Sequence, residues 1–166
     1  MVDTILREVE LNDAPQIANI YNYYIESTVI TFEEQVIVAQ DIEKRIEKIQ
    51  RAGHFWFVAE VDNKIVGYAY SAPWRDRSAY RFASEVSIYL TKDSQGKGLG
   101  SLLYQALFQQ LKSTPIKILI GGITLPNESS VALHEKFGME KVAHFKDVGY
   151  KFDQWLDVGY WQLKLF

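Results

Sequence analysis

Two periodicities alternate along this chain, and their order predicts its architecture. Residues 4–9 show a short every-second-residue alternation, as expected of a strand with one buried face. Asn12, Asp13, Ala14 and Pro15 follow, a capping pair with proline in the first helical turn. Ile17, Ile20, Tyr21 and Tyr24 then recur at helical spacing until the β-branched stretch at 27–32 ends the pattern. A second helix over 39–52 sets Ile42, Ile46 and Ile49 on one face and is closed by Gly53. Residues 55–61 and 64–71 are β-rich and joined by Asp62 and Asn63, a hairpin turn pair, with Pro73 stopping the second strand. Residues 74–82 read as a polar loop. Residues 85–90 read as a strand with Val86, Ile88 and Leu90 facing one way and Glu85, Ser87 and Tyr89 the other.

In the second half, Leu99, Leu102, Leu103, Ala106, Leu107 and Leu111 form an apolar helical stripe, and 116–120 is a compact buried strand. Asn127 caps a further helix running to Phe137 and stopped by Gly138. Two final strands, 141–148 and 155–165, flank a turn at 149–153. The order β-α-α-β-β-β-α-β-α-β-β, without repeat or linker, predicts one α/β or α+β domain around a single mixed sheet over residues 1–166.

Composition narrows the function classes. A net charge of −3 without a Lys/Arg block argues against a general nucleic-acid partner. No apolar run approaches the ~20 residues of a bilayer span, and the N-terminus lacks a basic-then-apolar leader, so a cytoplasmic protein with no membrane partner is expected. The absence of cysteine removes disulfides, thiolate metal sites and a cysteine nucleophile. His54, His134 and His144 are scattered without ligand spacing, so no metal is expected.

The segment Gln95, Gly96, Lys97, Gly98, Leu99, Gly100 lies between a predicted strand and a predicted helix. Glycines there let backbone N–H groups converge on an anion at the positive end of the helix dipole, although a plain turn also uses glycines. A P-loop fails, because position 91 is Thr and position 98 is Gly. A dinucleotide fingerprint fails at Ser101, and 116–122 has no acidic residue.

The spacing of Gln95, Gly98 and Gly100 resembles the pyrophosphate loop of the GNAT superfamily, Gln/Arg-x-x-Gly-x-Gly/Ala, and the helix from Asn127 to Phe137, Gly138 and Met139 resembles a second element of that superfamily. Across nearly the whole chain the similarity is to phosphinothricin and methionine sulfoximine/sulfone N-acetyltransferases. It is carried by residues 23–29, by Ala72, Pro73, Trp74 and Arg75 with Arg77, Ala79 and Tyr80, by Glu85 and Tyr89, by Gly149, Tyr150 and Lys151, and by 155–163.

This resemblance implies a GNAT fold: a central mixed, mostly antiparallel sheet of about six to seven strands flanked by about four helices. It implies acetyl-CoA as cosubstrate, a small amino-acid-like acceptor and a homodimer. Glu85 would be the catalytic base, against the plain reading of a solvated strand-edge carboxylate. Where many superfamily members carry a tyrosine, His134 would be an acid, a second base or a cofactor contact, against the plain reading of a structural histidine. Ile88, Tyr89 and Leu90 would lend backbone groups to the pantetheine arm. Gln95, Gly96, Lys97, Gly98, Leu99, Gly100 and Ser101 would hold the pyrophosphate, and Asn127 would contact the pantetheine end. Trp74, Arg75, Asp76, Arg77 and Tyr80 would recognise the acceptor's polar head, arginine offering a two-pronged donor to oxyanions. Phe32 would add an apolar wall, and Glu85, Val86 and Ser87 would complete the pocket. Two other functions remain open at this point: acetylation of a protein or peptide N-terminus, and non-catalytic acyl-CoA sensing.

Overall fold

The computed structural model describes residues 3–166. The elements in order are β1 (Thr4–Glu8), α1 (Ala14–Ser27), α2 (Ala39–Arg51), β2 (Trp56–Val61), β3 (Lys64–Pro73), β4 (Ala83–Leu90), α3 (Leu99–Leu111), β5 (Ile118–Leu125), α4 (Glu128–Lys136), β6 (Glu140–Lys151) and β7 (Gln154–Lys164). The strands form one seven-stranded sheet in the order β1-β2-β3-β4-β5-β7-β6. β4 and β5 run parallel and the other neighbours antiparallel. A parallel pair needs a crossover, and α3 supplies it.

Each sheet face buries its own helices. Ile17, Tyr24, Ile42 and Ile46 of α1 and α2 pack with Trp56, Val58 and Tyr68 on one face. Leu103, Tyr104, Leu107 and Leu111 of α3 pack with Ala69, Val86, Leu119 and Ile123 on the other. The β3–β4 register has no bulge, and Glu85, Ser87 and Tyr89 stand opposite Ala72, Tyr70 and Tyr68. The alternation read along β4 therefore holds: Tyr89 packs on the α1 side, Val86 and Ile88 on the α3 side.

Three local readings need correction. Asp13 does not cap α1 with its side chain; its carboxylate accepts two 2.8 Å bonds from Arg7 and one from the Glu10 N–H, and this pairing competes with capping. The strand read as 116–120 is observed at Ile118–Leu125, because Gly121 and Gly122 lower its β-propensity without breaking it. The final hairpin turns on two residues, Phe152 and Asp153, both at positive φ, so Gly149 and Lys151 belong to β6 instead of a five-residue turn.

Candidate active site

The parallel pair β4–β5 is short. Ala83, Ser84 and Glu85 pair with Ile118, Leu119 and Ile120, and past Glu85 the strands diverge although both continue. The divergence opens a narrow cleft of about 50 Å³ lined by Val86, Ser87, Ile88 and Tyr89 of β4, Gly122, Ile123 and Thr124 of β5, Tyr104 of α3, Asn127, Ser130 and His134 of the α4 region, and Ile30 from the segment after α1. A strand that loses its neighbour presents unpaired backbone N–H and C=O groups, which an extended ligand can satisfy as a further strand would. Glu85 thus sits at the apex of the opening, one residue before the lining begins.

Glu85 is half-buried, and burial pushes its carboxyl pKa up while the Arg75 charge pulls the other way. Arg75 is held with its guanidinium 4.6 Å from the centre of the Trp74 ring, and Trp74 meets Tyr160 edge-on at 5.5 Å. Asp76, Arg77 and Tyr80 stand exposed on the 74–82 loop, around the short 3-10 turn Ser78–Tyr80, and do not line the cleft. The Phe32 ring lies against Gly149, so Ile30 and not Phe32 reaches the narrow cleft.

His134 is 3% exposed. Its Nδ1 lies 2.7 Å from the Ser130 carbonyl, which can only accept, so Nδ1 carries the proton. Its Nε2 lies 2.9 Å from the fully buried Tyr104 hydroxyl, which must then donate. Burial lowers the imidazole pKa, partly offset by the Ser130 bond, and burial raises that of Tyr104. At neutral pH the pair is a neutral imidazole accepting from a neutral phenol. Gly121 makes room for it, because a Cβ there would stand 2.7–2.8 Å from the His134 ring. Gly122, facing the other way, makes room for Tyr160 at 3.0 Å. α4 is tied to β7 by Trp161 Nε1 donating to Glu135.

At the far end of β4, Gly96 and Gly98 both have positive φ with open space where a Cβ would stand. Gly98 caps α3 in the left-handed region with no side-chain cap bond, so the first-turn N–H groups of Leu99, Gly100 and Ser101 face outward as an anion cradle. Lys97 is exposed here, and Lys136 Nζ reaches Ser101 Oγ at 2.9 Å, which adds a second cation. Leu99 itself is buried, so only its backbone is available. The Gln95 side chain donates to Tyr24 Oη at 3.2 Å and ties the loop to α1. Tyr24 in turn donates to the Leu90 carbonyl. Asn127 Oδ1 accepts from Ser130 N, so its capping role is filled while it still borders the cleft.

Tyr104, Tyr160, Lys136 and the Gly121–Gly122 pair were not marked by any sequence signal as site residues. Paired glycines inside an otherwise apolar run were the available clue, because glycine in a strand often marks a close approach.

The phosphinothricin N-acetyltransferase of Streptomyces viridochromogenes is 34% identical over 95% of this chain and 85% of its own length. The L-methionine sulfoximine/L-methionine sulfone acetyltransferase of Pseudomonas paraeruginosa is 30% identical over 96% and 94%. Among solved structures, a GNAT superfamily phosphinothricin acetyltransferase from Sinorhizobium meliloti in complex with acetyl-CoA superposes with a TM-score of 0.94 at 32% identity, covering 97% of this chain and 88% of that one. The model for the acetyltransferase (GNAT) domain matches residues 6–159, and with the diverging β4–β5 pair and the glycine-opened α3 already in place, this chain belongs to the GNAT acetyltransferase family.

Proposed function

We propose that this protein moves the acetyl group of acetyl-CoA to the α-amino group of a small amino-acid-like acceptor such as phosphinothricin, methionine sulfoximine or methionine sulfone. The observation that carries this reading is the parting of β4 from β5 immediately after Glu85. It puts a carboxylate at one end of the freed strand and the anion cradle of α3 just past the other, with about 17 Å of extended backbone between Glu85 and Leu90.

The residues present fit acetyl-CoA. The cradle of Gly96 to Ser101 suits a diphosphate, with Lys97 and Lys136 adding positive charge. On the open side of β4 the backbone groups of Ile88 and the Leu90 N–H suit an amide-bearing arm, while those of Tyr89 face β3 and the Leu90 carbonyl is taken by Tyr24. When bound, acetyl-CoA supplies the thioester carbonyl that the amine attacks.

The chain's own residues do the rest. A free amino acid arrives largely as an ammonium, so Glu85 accepts a proton directly or through a water. Its burial-raised pKa makes it the better acceptor. Arg75, pre-set over Trp74, pairs with the acceptor's carboxylate, with Arg77 on the same loop. His134 Nε2 accepts the Tyr104 hydroxyl proton, so the pair shapes this side of the cleft as neutral groups, and the departing thiolate takes its proton from the solvent side, matching the one that Glu85 removes from the amine. The exposed Phe145, Tyr150 and Trp155 beside the free edge of β6 suit a second copy of the chain; a dimer in sedimentation is expected, and a monomer contradicts that assignment.

A thiol-release assay with acetyl-CoA tests the substrate class. Release is expected with methionine sulfoximine, methionine sulfone or phosphinothricin at rates well above those with the common amino acids. Release with a peptide N-terminus but with none of these overturns the reading.

A further inference from the structure

Lys151 is 1% exposed and forms no ion pair with a carboxylate among the described residues. Its Nζ donates to the backbone carbonyls of Thr28 at 2.7 Å and Thr31 at 2.8 Å, with the Tyr24 carbonyl at 3.5 Å. A buried ammonium is costly unless its three donors are met. Here they meet the carbonyls of the C-cap residue Thr28 and of Thr31 just beyond α1, near the negative end of the helix dipole. Lysine places its three donors on a single atom at the tip of a flexible stem.

The segment that Lys151 grips is held at two further points. Thr31 Oγ1 lies 2.8 Å from Tyr21 Oη. The Phe32 ring lies so close to Gly149 that a Cβ there would stand 2.4 Å from two ring carbons. Between the gripped Thr28 and Thr31 carbonyls, Ile30 faces the cleft. Lys151 itself lines no part of the cleft; it comes from β6, a strand separated from β5 by β7.

We infer that Lys151 is a positioning residue for the acceptor. By gathering the Thr28 and Thr31 carbonyls it fixes the 28–32 segment that holds Ile30 against the acceptor side of the cleft, and it leaves the cofactor cradle at α3 untouched. This rests on the acetyl-transfer reading above.

The test is Lys151→Met, which keeps the length and removes the donors. The acceptor KM is expected to rise about tenfold with the acetyl-CoA KM within twofold, and amide exchange across 28–32 to quicken while that of α3 does not. An unchanged acceptor KM, or a fall in kcat with both KM values kept, overturns the inference. Gly149→Ala, which displaces Phe32 from the other side, is expected to give the same split. An acceptor KM equal to the native one in that variant overturns the inference even where Lys151→Met does not fold. Failure of the native enzyme to acetylate any amino acid counts against the acetyl-transfer reading instead; the clamp is then judged by exchange alone, and unchanged exchange in 28–32 of either variant rejects it.

Discussion

Glu85→Gln is expected to lower kcat by about a hundredfold or more, the usual contribution of a positioned base, while calorimetry finds the acetyl-CoA affinity unchanged. The carboxylate lies at the apex of the cleft, and the anion cradle lies beyond the other end of β4; removing the base leaves the cradle intact. Melting experiments give an independent reading. Because burial raises the Glu85 pKa above 4.5, its favourable contribution to folding is complete below that unfolded value and is lost as pH rises through the folded one. Glutamine cannot ionise, so the variant is expected to be at least as stable as the native chain at neutral pH. The same shift places the acidic limb of the native pH–rate profile above the ordinary carboxylate range. A variant that retains native kcat, or that loses activity in proportion to lost folded protein, contradicts the role of Glu85 as base.

The second large effect is expected at His134. His134→Ala empties the space over Gly121 and strands the buried Tyr104 hydroxyl without its acceptor, which together cost about 2–4 kcal/mol of stability, measured by denaturant unfolding. Activity is expected to fall by about tenfold to a hundredfold. Tyr104→Phe is expected to reproduce most of that kinetic loss, and the double variant little more, because the two side chains act through one hydrogen bond. Additive losses would mean that they act separately. Gly121→Ala should give a milder form of the same defect, its Cβ pushing directly on the His134 ring.

The imidazole also sets a pH dependence of stability. Burial holds the pKa of both His134 and His54 below 6.5. A base with a depressed folded pKa contributes stability above its unfolded value that is lost as pH falls through the folded one. The melting temperature of the native chain should therefore drop as pH falls below about 6.5, and in His134→Ala this acid-side slope should be shallower.

The parts of this molecule legible in its sequence are those where local chemistry decides the backbone. Asp62 and Asn63 both take positive φ, as a tight hairpin between right-twisted strands requires. Gly98 opens α3, Asn127 caps α4, and the two-faced alternation along β4 carries through to the packing of Tyr89 and Ile88 on opposite sides of the sheet. The order of seven strands and four helices read from the residue pattern is the one observed, and the resemblance added that their single mixed sheet is mostly antiparallel. What could not be read was set by distant partners. Nothing near residue 104 in sequence marks it as the partner of a histidine 30 positions away. Lys151 looked like part of a turn because the carbonyls that bury it lie more than 100 positions earlier. The glycines of β5 shortened that strand on paper, and only the rings of His134 and Tyr160 against them explain why glycine is there.

Everything assigned to Glu85, His134 and Arg75 presumes one path for acetyl-CoA, from the first turn of α3 along the freed edge of β4. A crystal structure with the cofactor bound measures this directly. The diphosphate is expected on the N–H groups of residues 96–101, with the thioester beside Glu85 and between Ser87 and the Tyr104–His134 pair. Density for the cofactor away from that turn, or a thioester outside the cleft between β4 and β5, would contradict the account.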